Sequence, residues 1–182
     1  MPRDKFLGGI SEVVTDVLWD RPSLEFGVFR FFENAQNSPL RGNMRLPRQL
    51  PNPQRFTFYE VGIAILAGGK LLPLNHRLWW NSIFELQINQ KSYVSGPLHV
   101  FADPTAIAAM AIGESGKLSA LPTDQLHALL DHGRFRLDAQ ITIESGELFH
   151  AEILTRPTEK ETPPPECEAI LMLLGNRERG AC

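Results

Sequence analysis

A chain of 182 residues is long enough for one domain and buries roughly two-thirds of its unfolded surface without help from disulfides. Hydrophobic residues at 43% and charged residues at 21% exclude wholesale disorder. A formal charge of −3 and a pI near 6.0 exclude a general nucleic-acid binder, which carries a large basic excess.

The opening "MPRDKFLGGISEVV" holds acidic residues and no long apolar core, so it is unlike a signal peptide, and synthesis inside the cell is the expectation. No uncharged apolar run approaches the roughly 18 residues that span a bilayer. In "ISEVVTDVLW", residues 10–19, the apolar positions Ile10, Val13, Val14, Val17 and Leu18 fall at helical spacing, with Glu12, Asp16 and Asp20 off that stripe. This predicts a short amphipathic helix stopped by Pro22. It either packs on its own domain or docks onto a neighbouring subunit; its acidic polar face argues against an anionic membrane.

From Leu24 the period changes to two, and "LEFGVFRFFE" reads as a Phe-rich strand whose apolar phase slips between Val28 and Phe29, the mark of a bulge or of burial on both faces. Residues 34–55 are cut into short extended pieces by Pro39, Gly42, Pro47, Pro51 and Pro53. No acidic residue lies between Asn34 and Tyr59, whereas Arg41, Arg45, Arg48 and Arg55 all do. This Arg- and Pro-rich stretch is either a solvated loop or an extended arm that pairs with carboxylates of a neighbour. A 20-residue structureless segment is unusual unless it has a task, which favours the arm.

"RFTFYEVGIAILAGG", residues 55–69, alternates Tyr59, Val61, Ile63 and Ile65 with Glu60, Gly62 and Ala64, and predicts a sandwich strand closed by a turn at Gly68 and Gly69. The clearest strand signal is "SIFELQINQKSYVSGPLHVFA", where Phe84, Leu86 and Ile88 face one way and Glu85, Gln87 and Asn89 the other. Asn89 and Gln90 reverse the chain, and Gly96 with Pro97 places the second strand at an edge or at a change of sheet. Residues 104–112 and 122–131 are the remaining helix candidates. Strands return in "RFRL", "ITIE", "ELFHAEIL" and, past the Pro-rich turn "RPTEKETPPPE", in "CEAILMLL". The count is about eight strands with few helices, a mainly β chain that favours a two-sheet sandwich or jelly roll over any βαβ arrangement.

Reaction chemistry is sparse. The histidines His76, His99, His127, His132 and His150 are scattered, and His127 and His132 lie five apart where a helical zinc pair needs three or four. The two cysteines, Cys167 and Cys182, form neither a disulfide framework nor a zinc motif. "GESG" at 113–116 lacks the flanking strand of a nucleophile elbow, and "LAGGK" at 66–70 lacks the spacing and hydroxyl of a phosphate loop. Asp124, Asp131 and Asp138 read as solvated carboxylates. In "HRLWWN", residues 76–81, adjacent tryptophans on a strand would face opposite ways, so core filling or a protein contact is favoured over a stacking platform for a sugar or base.

Three segments together carry a resemblance. "LPRQLPNPQRFTFYEVGIAI" is a Pro-led strand, "SIFELQINQKSYVSGPLHVF" a hairpin closing on a Pro-Leu step, and "GELFHAEIL" with "CEAILMLLGNRERG" a closing strand pair. The series, over residues 22–180, resembles the jelly-roll capsid proteins of tailless icosahedral bacteriophages, particularly the small single-barrel shell proteins of internal-membrane viruses. The resemblance implies a structural virion protein, assembled in the host cytoplasm, whose copies tile a shell with the barrel roughly upright and with arms tying neighbours together. It implies partners among copies of itself and other capsid proteins, proximity to a viral membrane, no sequence-specific nucleic acid, no enzymatic activity and no cofactor or metal.

On this reading residues 1–21 form a helical arm and residues 22–182 one jelly-roll domain of about eight antiparallel strands, with the extended arm at 34–55 and a partly helical insertion at 102–132. The candidate subunit contacts are Val13, Val17, Arg41, Arg45, Arg48, Trp79 and Trp80. A carbohydrate-binding jelly roll or a cupin-like enzyme is the competing expectation, because the fold alone cannot choose among them.

Overall fold

The computed structural model describes residues 12–34, 41–72, 74–102, 135–156 and 166–179. Their strands, in chain order, are β1 (Glu12–Asp20), β2 (Val28–Phe31), β3 (Gln54–Ala67), β4 (Lys70–Leu71), β5 (Ser82–Ile88), β6 (Lys91–Pro97), β7 (Phe135–Ile143), β8 (Phe149–Thr155) and β9 (Cys167–Arg179). A one-turn helix, α1 (Arg77–Trp80), precedes β5, and a 3-10 turn (Leu98–Phe101) follows β6. Two antiparallel sheets result. The first runs β1-β9-β3-β4 with β7 also on β3, and the second runs β2-β8-β5-β6.

The pairing is nested. β1 pairs with β9, β2 with β8, β3 with β7 and β5 with β6, so the chain closes from its outermost strands inward. Along it, β5 to β6 is a tight hairpin at Asn89 and Gln90, both with positive φ, where the sequence predicts the reversal. Apart from the two-residue β4, each remaining step from one strand to the next changes sheet.

Period-two burial fills the space between the sheets. From the first sheet come Phe56, Phe58, Val61, Ile63 and Ile65 of β3 and Ala169, Leu171 and Leu173 of β9. The second contributes Phe29, Phe31, Phe84, Leu86, Phe149 and Ile153, all of them fully enclosed. Burying each large apolar side chain contributes roughly 1.5 to 3 kcal/mol, which makes this interior the main source of stability. β3 keeps its inward phase across Phe58 and Val61 through an irregularity at Tyr59, where the register with both β7 and β9 shifts.

The predicted helix over residues 10–19 is a strand where it is described. β1 pairs with β9 along its whole length, from Glu12 opposite Arg179 to Asp20 opposite Leu171. Val13, Val14, Thr15 and Val17 are β-branched residues with stiff χ1 angles that suit a pleated surface, and β9 supplies the partner no local pattern can reveal. Residues 12–20 therefore belong to the larger sheet and form no helical arm; residues 1–11 lie outside the described part. The strand expected over 24–33 is shorter too. A two-residue turn at Phe26 and Gly27 precedes β2, and Phe32, at φ +64, brings a third phenylalanine into the core beside Phe29 and Phe31.

Residues 41–50 lie on the body of the same chain through a bridge between Asp20 and Gly42 and through backbone hydrogen bonds of Arg48 with Phe32 and Phe149, with Met44 and Leu50 buried. The helix candidates at 104–112 and 122–131, and with them the insertion from 103 onward, lie outside the described residues, as do residues 157–165 of the Pro-rich turn.

Candidate functional site

Polar residues gather most densely where the chain crosses from β1 to β2. Asp20, only 2% exposed, ends β1. Its two carboxylate oxygens accept hydrogen bonds from the Arg21 amide at 2.9 Å and the Phe32 amide at 2.6 Å. One acidic residue thus ties the end of a strand in one sheet to the segment leaving a strand of the other. Arg21 donates to Glu168 of β9 through Nε at 3.1 Å and Nη2 at 2.5 Å, and Arg41 approaches the same carboxylate at 3.9 Å. Around them lies a groove of about 250 Å³, lined by Asp20, Arg21, Glu25, Arg30, Glu33 and Arg41 among others. Arg21 and Arg41 turn to Glu168, Glu33 is bonded to Arg48, and Asp20 accepts two backbone amides, so much of the lining serves to join the two sheets.

The free edge of β1 is sealed close to that junction. Asn43 copies a strand: its amide donates to the Trp19 carbonyl at 3.2 Å, its Oδ1 accepts from the Trp19 amide at 2.9 Å, and its Nδ2 donates to the Val17 carbonyl at 2.5 Å. Such cover blunts an edge that would otherwise recruit another strand.

Among the described residues no group of three or more His, Cys, Asp or Glu side chains is placed to hold a metal ion. Cys167 is buried, and that burial, with a smaller contribution from the neighbouring Glu168, pushes its thiol up to about 11. It is a core residue with no tendency toward the thiolate. His76 caps α1, its Nδ1 accepting from the Leu78 amide at 3.2 Å. His99 stacks on Trp80 with ring centroids 4.2 Å apart.

The residues expected to contact neighbours separate into distinct environments. Val13 is 58% exposed on β1, with Val17 half-buried beside it. Arg48 is bonded to Glu33 and Arg41 approaches Glu168, so both find carboxylates on their own chain; Arg45 is exposed. The tryptophans correct the strand reading of "HRLWWN". Residues 77–80 turn as a helix, which sends Trp79 into the core, its Nε1 donating to the Leu72 carbonyl, and leaves Trp80 60% exposed. Trp79 therefore has no surface to offer a partner.

Sequence reasoning missed the most prominent surface group. Phe26 is fully exposed at φ +51, the first of the two residues of a turn closed by reciprocal hydrogen bonds between Glu25 and Val28. The signal was available in "EFGV", since a glycine between strand-forming residues marks a turn and the residue beside it must then point away from the sheet.

In comparisons with known proteins, no family model, no curated protein and no solved structure matches the chain.

Proposed function

We propose that the two sheets form a jelly roll and that the protein is a structural subunit which associates with copies of itself into an icosahedral viral shell. The observation that supports the reading is the nested pairing of β1 with β9, β2 with β8, β3 with β7 and β5 with β6, an order that a jelly-roll winding would produce. Jelly rolls serve as capsid, lectin and cupin domains, so the choice among them rests on where functional groups lie. Between the described strands the interior is filled by phenylalanine and aliphatic side chains. Large apolar groups stand on the outside instead, among them Phe26, Trp80, Val13 and Leu148, all more than half exposed. A rigid block with a packed interior and apolar points on its exterior suits a protein that works by contact with other proteins.

Sedimentation velocity and electron microscopy of the purified chain over a rising concentration series test this. Concentration-dependent association into regular particles or arrays is the expected result. A stable monomer that carries stoichiometric metal, turns over a substrate or retains a glycan would overturn it in favour of a cupin-like enzyme or a carbohydrate-binding module.

A further inference from the structure

Phe26 stands at one end of the second sheet. The carbonyl of Gly27 accepts from the Thr155 amide at 2.9 Å and from Thr155 Oγ1 at 2.7 Å, which fixes the turn beside the last residue of β8. At the same end, the outer face of the sheet carries an apolar row given by the register: Val28 opposite Leu154, Leu154 opposite Ile83, and Ile83 opposite Pro97. Trp80 stands at the same end of the sheet, just before β5, 60% exposed and held by an Nε1 hydrogen bond to the Leu74 carbonyl and by its stack on His99. A projecting aromatic ring and a flat apolar platform thus share one patch. A left-handed backbone disfavours a bulky side chain, and water gains nothing from a phenyl ring, so the turn accepts both costs to hold the ring in a fixed position.

We propose that this patch is an isologous interface in which Phe26 of one copy packs on the Trp80, Ile83 and Leu154 platform of a second copy, and the second copy's ring packs on the first. The inference rests on the self-assembly reading above and names one of its contacts. A two-fold contact requires that knob and platform lie on the same surface, as they do here. Charge favours the same occupant: Glu25 flanks the knob, while Arg156, exposed and with its amide bonded to the Asn81 carbonyl next to Trp80, flanks the platform, so a two-fold axis brings opposite charges together. An anionic membrane fits less well, because Glu25 adjoins the ring and the next row of the sheet sets two carboxylates, Glu152 and Glu85, against one cation, Arg30.

The decisive variant is Phe26→Asn, because asparagine accepts a left-handed backbone better than phenylalanine does. The full chain, Phe26→Asn and Trp80→Ala are compared by sedimentation velocity, by thermal unfolding, and by co-sedimentation with phosphatidylserine/phosphatidylcholine vesicles. Phe26→Asn is expected to weaken self-association about tenfold or more while leaving the melting temperature equal or higher. A mixture of the two variants should recover part of the association, since the intact ring of one meets the intact platform of the other. Association of Phe26→Asn equal to that of the parent overturns the interface and leaves the shell reading standing. A parent chain that stays monomeric throughout removes the shell reading itself. Vesicle binding lost in Phe26→Asn without any change in self-association would assign the patch to lipid and also overturn the proposal.

Discussion

Gly175 of β9 lies against the backbone of Thr57 so closely that a Cβ at that position would sit 2.0 Å from the Thr57 carbonyl oxygen. The Phe58 Cα would be 2.6 Å away. Both neighbours are backbone atoms of β3 at the irregularity around Tyr59, so no rotamer change relieves the clash. Gly175→Ala is expected to destabilise the fold by about 3 kcal/mol or more, toward the upper end of overpacking costs, because the two central strands of the first sheet must separate. Urea unfolding monitored by tryptophan fluorescence gives the number. Gly68 and Gly69 have open space where a Cβ would go, so alanine there carries only the cost of its positive φ.

Asp20 joins the two sheets through one buried carboxylate, and its removal leaves the Phe32 and Arg21 amides without the acceptor they now have. Asp20→Ala is expected to cost about 2 to 4 kcal/mol, since buried donors lose a charged acceptor. Asp20→Asn keeps the side chain's shape but has one carbonyl oxygen in place of two, so an intermediate loss is expected. Hydrogen exchange at the Phe32 amide separates this local effect from global unfolding: in Asp20→Ala that amide loses protection by more than the change in global stability accounts for.

How far the sequence reveals this architecture depends on the range over which each signal acts. β3, β5 and β6 are legible because inward residues such as Phe84, Leu86 and Ile88 alternate over a span long enough to define period two, and because Asn89 and Gln90 provide the turn. β1 is misread because Val13, Val14, Val17 and Leu18 satisfy a helical stripe as well as they satisfy two faces of a strand. The deciding partner, β9, lies more than 150 residues along the chain. A separation of 147 residues hides the pairing of Arg21 with Glu168, while α1 is too short at four residues for any periodicity to show. For the surface, residue type alone could not separate Trp79 from Trp80; only the turn of the helix sends one inward and the other out.

Cys167 gives the fold a signature at high pH. Burial first, and Glu168 second, raise its thiol from 9.0 to about 11. The native state therefore keeps its proton where the unfolded chain has already lost it. This contribution is fully present below about pH 9 and disappears as pH rises toward 11. The sign follows from the unfolded state binding fewer protons in that window, and the loss is on the order of 2 to 3 kcal/mol. Cys167→Ala should flatten that part of the stability curve measured by chemical denaturation from pH 8 to 11. In the native parent, Ellman's reagent at pH 8 should label Cys167 only on the timescale of unfolding.

The Asp16–Arg177 pair supplies the most diagnostic double-mutant cycle. The Arg177 guanidinium, with 12% of its side chain exposed, places Nε 2.9 Å from Asp16 Oδ2, a close ion pair whose N–H is not aligned as a hydrogen bond, and it lies over the Phe56 ring at 5.9 Å. Its pKa is lowered chiefly by burial, opposed by Asp16 and reinforced by Arg179 and Arg45, so Asp16 is what offsets the cost of a cation in this position. Removing Asp16 alone leaves the cation half-desolvated among other cations, and Asp16→Ala should cost about 1 to 3 kcal/mol, less than a fully buried pair because Asp16 remains partly exposed. Arg177→Met keeps the contact with Phe56 and removes the charge. In the double variant the penalty of Asp16→Ala should largely vanish, giving a coupling energy above about 1 kcal/mol. Additive losses would mean instead that Arg177 acts by packing on Phe56 and that the ion pair contributes little to holding β1 against β9.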